Sequence, residues 1–206
     1  MQDVQFSREE IRQTIVSLND KKAPGIDGIT GRIFLRTFNL FPELLTAIYN
    51  QCLERGYFPK RWKIAKTILI IKPGQENSMD PSKYHLISLL NMGGKVLEKL
   101  LINRINHYTY KNDLLKDRQF GFTPQKSTTD AAMEAKKFIE PVLEKRGLVI
   151  MTSLDVSEVF DAARWPSILQ ALKDPGCRRN LYNLSKGYKS KVMLMSRRRR
   201  RGKKRS

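Results

Sequence analysis

Cysteine and histidine are nearly missing from this chain, with two of each among 206 residues. Cys52 and Cys177 lie far apart, with no Cys-x-x-Cys pair and no histidine beside either, and His85 and His107 are equally isolated. That spacing argues against a disulfide framework or a zinc site and suits thiols kept reduced inside a cell. Long apolar runs are missing too. No stretch approaches the roughly 20 residues of a membrane span, and the polar, charged first residues do not read as a signal peptide. The expected location is intracellular, in nucleus or cytoplasm and not secreted.

Acidic residues are the third shortage. Twenty Asp and Glu face 39 Lys and Arg, a formal charge of +19 with a pI near 10.1. Hydrophobic residues make up 40% of the chain, enough for a real core at this length. The expectation is therefore a globular body with surplus positive charge. A polyanion is the economical partner, because Lys and Arg on phosphates release counterions and drive binding. An anionic membrane surface is the rival, and no basic amphipathic helix stands out to support it. Eight basic side chains and no acidic one fall between Arg197 and Arg205, the composition of a disordered tail. The other +11 is spread over the body.

Punctuation along the chain suggests a helix-rich α/β (α+β) fold. Ser7-Arg8-Glu9-Glu10 reads as a capping box before Ile11, Ile15 and Leu18. Pro42 opens a second helix, with Leu44, Leu45, Ile48, Tyr49, Cys52 and Leu53 on one stripe and Gly56 as its stop. Ile64 to Ile71 reads as a strand halted by Lys72-Pro73-Gly74, and Leu86 to Leu90 as a second apolar run. Val96, Leu97, Leu100, Leu101 and Ile105 mark a long amphipathic helix. Ser127 or Thr128 caps another, with Pro141 inside it. A strand is expected at 148–154, then helices from Pro166 and from about Arg179.

The chemistry concentrates at Leu154-Asp155-Val156-Ser157-Glu158-Val159-Phe160-Asp161. A strand that delivers a carboxylate at its end, with a free carbonyl beside it, can supply half of a two-metal cage. Such cages hold two divalent ions about 3.5–4 Å apart, on the attacking and leaving oxygens. Asp155 and the Val156 carbonyl fit that part. On chemistry alone Asp155 could equally be a helix cap or a phospho-acceptor, since ligands gather at strand ends in many α/β folds. By the same standard Phe160 could be core, Lys72 a solvated turn residue, and Asp161 a structural cap.

Five further segments occur in a fixed order around that motif. They are Lys22-Ala23-Pro24-Gly25-Ile26-Asp27-Gly28; Trp62-Lys63 with Ile70-Ile71-Lys72-Pro73-Gly74; Ile87-Ser88-Leu89-Leu90; Gly94-Lys95-Val96-Leu97-Glu98-Lys99; and Gln119-Phe120-Gly121-Phe122 with Lys126-Ser127-Thr128. From Lys22 to about Tyr188 the chain resembles the reverse transcriptase of non-LTR retrotransposons, especially insect elements that insert at fixed genomic sites.

The resemblance implies right-hand polymerase fingers over residues 1–147 and the beginning of an incomplete palm over 148–190; composition makes 191–206 a disordered basic tail. It implies Asp155 as the catalytic carboxylate, with Val156 beside it on Mg2+. Lys72 and Phe160 would sit at the incoming dNTP, Lys72 as a point charge on the triphosphate and Phe160 as a steric filter against a 2′-hydroxyl. Gln119, Gly121, Lys126 and Ser127 would touch an RNA template and a DNA primer.

The chain departs from the family pattern at His85, where these elements carry an arginine that grips phosphate bidentately, and at Val159, where they carry alanine. It also contains no Tyr/Phe-x-Asp-Asp motif. Two readings follow: part of an RNA-directed DNA polymerase that is inactive as this chain alone, or a non-catalytic basic nucleic-acid binder.

Overall fold

A computed structural model describes residues 3–18, 23–71, 74, 80, 83–154, 164–173, 176–188 and 193–195. They form α1 (Arg8–Ser17), α2 (Gly31–Leu40), α3 (Pro42–Glu54), a 3-10 turn (Lys60–Lys63), β1 (Ala65–Ile71), β2 (Tyr84–Leu90), α4 (Met92–Lys111), α5 (Thr128–Glu144), α6 (Trp165–Lys173), α7 (Arg179–Tyr188) and β3 (Met193–Met195). The helix-rich expectation holds. The sheet is small, in the order β2-β1-β3. β1 and β2 run antiparallel in a register from Ala65 opposite Leu90 to Ile71 opposite Tyr84, and β3 lies parallel to β1. The basic residues beyond β3 lie outside the described residues.

The chain divides into two compact units, Met1–Ile105 with Leu169–Ser206, and Asn106–Ile168. The core of the first is built from Phe6, Ile11, Ile15, Phe38, Tyr49, Leu53, Phe58, Met92, Val96, Leu97, Leu100, Leu181 and Leu184. Several helices start or stop for local reasons. Ser7 Oγ accepts from Glu10 N at 3.0 Å to begin α1, but the expected capping box is only half made. The Glu10 carboxylate takes Arg104 instead, at 2.6 and 2.8 Å, and that hydrogen bond holds the guanidinium pKa up. Arg104 also lies over the Phe6 ring and, with Arg178, reaches Asp3. The first residues of the chain are thus tied to α4 and α7.

α3 begins at Pro42, whose missing N–H costs nothing at the first helical position. It ends in a Schellman closure: Tyr57 N donates to Cys52 O and Gly56 N to Leu53 O. Gly56 has φ +59, and a Cβ there would meet Asn183 Cβ at 2.3 Å, so the stop residue also lets α7 approach. α2 was not anticipated from the sequence. Thr30 caps it, with Oγ1 accepting from Ile33 N at 3.4 Å, and it turns Phe38 into the core.

Three of the ordered sequence segments meet around Asn91 and Trp62. Asn91 Oδ1 accepts from Gly94 N at 2.8 Å and so caps α4, while its Nδ2 donates to the Arg61 carbonyl at 3.2 Å. Trp62 lies against Tyr49, ring centroids 5.5 Å apart. Trp62 presses so closely on the first turn of α4 that a Cβ at Gly93 would meet its Cε2 at 2.7 Å, and one at Gly94 its carbonyl oxygen at 2.6 Å. On the far side Gly25 abuts the Asn91 backbone, and Lys95 Nζ donates to the Ala23 carbonyl at 2.7 Å. These motif residues are a packing joint.

Candidate nucleic-acid interface

The unit Asn106–Ile168 contains the Gln119 to Ser127 loop, for which the resemblance implies contact with template and primer. α4 stops at Lys111 by a second Schellman closure: Leu114 N donates to Thr109 O and Asp113 N to Tyr110 O, with Asp113 at φ +49. The chain then folds on itself as far as α5. Gln119 Nε2 donates to the Gly121 carbonyl at 2.9 Å, and Thr123 Oγ1 donates to the same oxygen. Lys126 donates to the Asp117 carbonyl and sits 5.3 Å from the centre of the Phe120 ring.

Ser127 closes a full capping box with Asp130. Its N–H donates to the carboxylate at 2.7 Å, its hydroxyl at 2.6 Å, and its Oγ accepts from Asp130 N. Those bonds from Ser127 hold the Asp130 carboxyl below the usual range.

Gln119, Gly121, Lys126 and Ser127 are therefore brought together in one loop, and each spends a polar group on the loop itself. The loop's most exposed large apolar side chain is Phe122, 95% exposed on a left-handed backbone with φ +57. Sequence reasoning did not single it out. Its signal is an aromatic in a Gly- and Pro-punctuated stretch, with no helix or strand period to bury it.

Beside the loop, α5 and residues 149–151 enclose a groove of about 320 Å3. Phe120, Phe138, Ile139, Val149 and Ile150 line it, with Arg118 at its wall. α5 buries none of its residues among those described. The strand expected at 148–154 does not form: residues 148–154 make no strand pairing, and Ile150 and Leu154 stand over 80% exposed. A strand is a property of two backbones, and no described segment offers these N–H and carbonyl groups a ladder.

Asp155, Val156, Phe160 and Lys72 lie outside the described residues. Among the described residues no three His, Cys, Asp or Glu side chains gather to hold a metal ion, and no helix is long and apolar enough to cross a membrane. His85 pairs through its backbone with Ile70, next to the end of β1 that leads to Lys72.

Residues 70–205 match the family model described as reverse transcriptase (RNA-dependent DNA polymerase). Three curated relatives illustrate the similarity. The chain is 34% identical over 169 residues to the RNA-directed DNA polymerase from mobile element jockey of Drosophila funebris, covering 80% of this chain and 18% of the relative. It is 32% identical over 166 residues to the Pol polyprotein of the type-1 retrotransposable element R1 of Bradysia coprophila, covering 81% and 16%. With the corresponding R2 polyprotein of Nasonia vitripennis it shares 26% over 168 residues, 82% of this chain and 15% of the relative. The chain thus spans about one sixth of the length of the curated relatives it matches.

Proposed function

The chain belongs to the reverse transcriptase (RNA-dependent DNA polymerase) family, among those of non-LTR retrotransposons, and from that membership we propose that it is part of an element-encoded RNA-directed DNA polymerase acting inside the cell. The observation that carries this reading is collinearity. One family match, 70–205, takes in Lys72, the Gln119 to Ser127 loop, Asp155 and Phe160, in the chain order of the family's motifs.

In this reading Asp155 and the Val156 carbonyl face Mg2+, Lys72 meets the triphosphate of a dNTP, and Phe160 closes the sugar pocket. The loop from Gln119 to Ser127 lies against the RNA template and DNA primer, with Phe122 as its outward contact. The ions, when bound, would polarise phosphate and attacking hydroxyl. Waters and phosphate can complete the shell of one Mg2+, but a pair of ions about 3.5–4 Å apart needs further carboxylates, and Asp155 with one carbonyl supplies donors for only part of that cage. The 206 residues contain no adjacent Asp pair to supply more. This chain by itself is therefore expected to hold nucleic acid without extending a primer.

Primer extension with oligo(dT) on poly(rA) in Mg2+ tests the reading. The expected result is binding without synthesis by the chain alone, and synthesis once the downstream segment of a jockey-type polymerase is supplied, abolished by Asp155→Asn. Synthesis that survives Asp155→Asn sinks the assignment of that residue. The second reading, a binder without catalysis, is favoured by the basic excess and predicts that no added segment restores synthesis.

A further inference from the structure

Positive charge is not spread evenly over the chain. Residues 106–168 carry nine basic and nine acidic side chains, so the whole excess belongs to the other unit. Within that unit Lys60, Arg61, Lys63 and Lys66 fall in seven consecutive residues with no acidic residue among them. Four other basic side chains of the same unit are paired with carboxylates: Arg8 with Glu43, Arg12 with Glu9, Arg104 with Glu10 and Asp3, and Arg178 with Asp3. Among the described residues no carboxylate lies at ion-pair distance from Lys60, Arg61, Lys63 or Lys66.

The cluster is also held in place. Arg61 gives its carbonyl to Asn91 at 3.2 Å, Trp62 N donates to the Pro59 carbonyl, and the indole is fixed against Tyr49 and Gly93. Lys60, Arg61 and Lys66 remain exposed while Lys63 is half-buried. Its partial burial, and then the charge of Lys60, push the Lys63 ammonium pKa below its ordinary value. Like charges crowded on a pinned turn repel one another, and an anion laid across them would relieve that repulsion.

We propose that the turn Lys60–Lys63, with Lys66 on β1, is a docking platform for the sugar-phosphate backbone of a nucleic acid strand, read without regard to sequence. The inference rests on the nucleic-acid reading above and gives it a surface on the unit that carries the net charge. Phosphate chemistry fits because the groups offered are point charges and one guanidinium fork. A bilayer fits less well: the aromatic of the turn, Trp62, packs inward and leaves the turn no apolar side chain to insert.

The test is the salt dependence of binding of the full chain to a fluorescently labelled single-stranded RNA, followed by anisotropy. The variants are K60Q/R61Q/K63Q, the charge-preserving K60R/R61K/K63R, and a comparator with Arg197 to Arg201 changed to Gln. Thermal unfolding confirms that each folds. Single strands lose about 0.7 in log–log slope for each phosphate contact, so the Gln triple variant should lower the slope by about 2. The charge-preserving variant should keep it, and the tail comparator should lower it independently. An unchanged slope in the Gln triple variant, with the chain still binding, overturns the platform and leaves the proposed function standing. Failure of the unaltered chain to bind RNA at all defeats the nucleic-acid reading and the platform with it. Loss of binding to phosphatidylserine vesicles, with the RNA slope intact, overturns the platform in favour of a lipid surface.

Discussion

Asn50 pairs with the backbone of Phe6 from both sides: its Oδ1 accepts from Phe6 N at 2.6 Å and its Nδ2 donates to Phe6 O at 3.1 Å. A helix side chain here replaces a missing strand, since residue 6 has no ladder of its own. Asn50→Ala strands both backbone groups beside a buried ring, at about 1–3 kcal/mol for each. Asn50→Asp keeps the acceptor but sets a carboxylate oxygen against the Phe6 carbonyl in a buried site, so it should not recover that loss at neutral pH. Urea unfolding of the two variants checks this; equal stability of Asn50→Ala and the unaltered chain refutes it.

Gly93 and Gly94 make opposite predictions. At Gly93 a Cβ meets the Trp62 ring, and at Gly94 it meets the Trp62 backbone carbonyl. Gly93→Ala should cost about 1–3 kcal/mol as overpacking and be relieved when Trp62→Leu is added. Gly94→Ala should cost as much and gain nothing from Trp62→Leu, because the carbonyl stays. A double-mutant cycle separates the two. Equal rescue at both positions would contradict the geometry.

The Asp130 cap gives α5 a pH dependence. Bonds from Ser127 hold its folded pKa below the unfolded value, so its stabilisation is fully present above the ordinary carboxylate range. It is lost as pH falls through that lower folded pKa. Helical circular dichroism should therefore decline in strong acid more for the unaltered chain than for Asp130→Asn, whose cap does not titrate. Superimposable acid titrations of the two would count against the capping box.

Cys52 serves as a reporter of the first unit. It is 5% exposed, and burial pushes its thiol up to about 11. At pH 8 it should be silent to thiol reagents until the unit opens, while the less buried Cys177 reacts first, slowed by its own raised pKa. Prompt modification of both thiols in the folded chain would contradict this.

Local signals in the sequence carried furthest where one residue type does one job. Pro42 and Gly56 bound α3, Ser7 begins α1, and Ser127 begins α5, all from short-range rules. α2 was missed because its cap, Thr30, is followed by glycine and arginine with no acidic residue in the first turn. The strand at 148–154 was misjudged for the opposite reason. Its composition is right, but pairing depends on a second segment that composition cannot supply. The loop residues Gln119, Gly121, Lys126 and Ser127 were found as a group. That each commits a polar group to a hydrogen bond within its own segment, at the surface, follows from local geometry that no linear pattern encodes.

The wedge of Trp62 between Tyr49 and the glycine pair has a consequence for how lineages of this domain can drift. Residues 62, 93 and 94 are not free to vary one at a time: enlarging Gly93 is tolerable only after the indole has shrunk, and Gly94 waits on the path of the main chain itself. A copy released from selection for synthesis but still required to fold would keep this trio while its chemistry eroded.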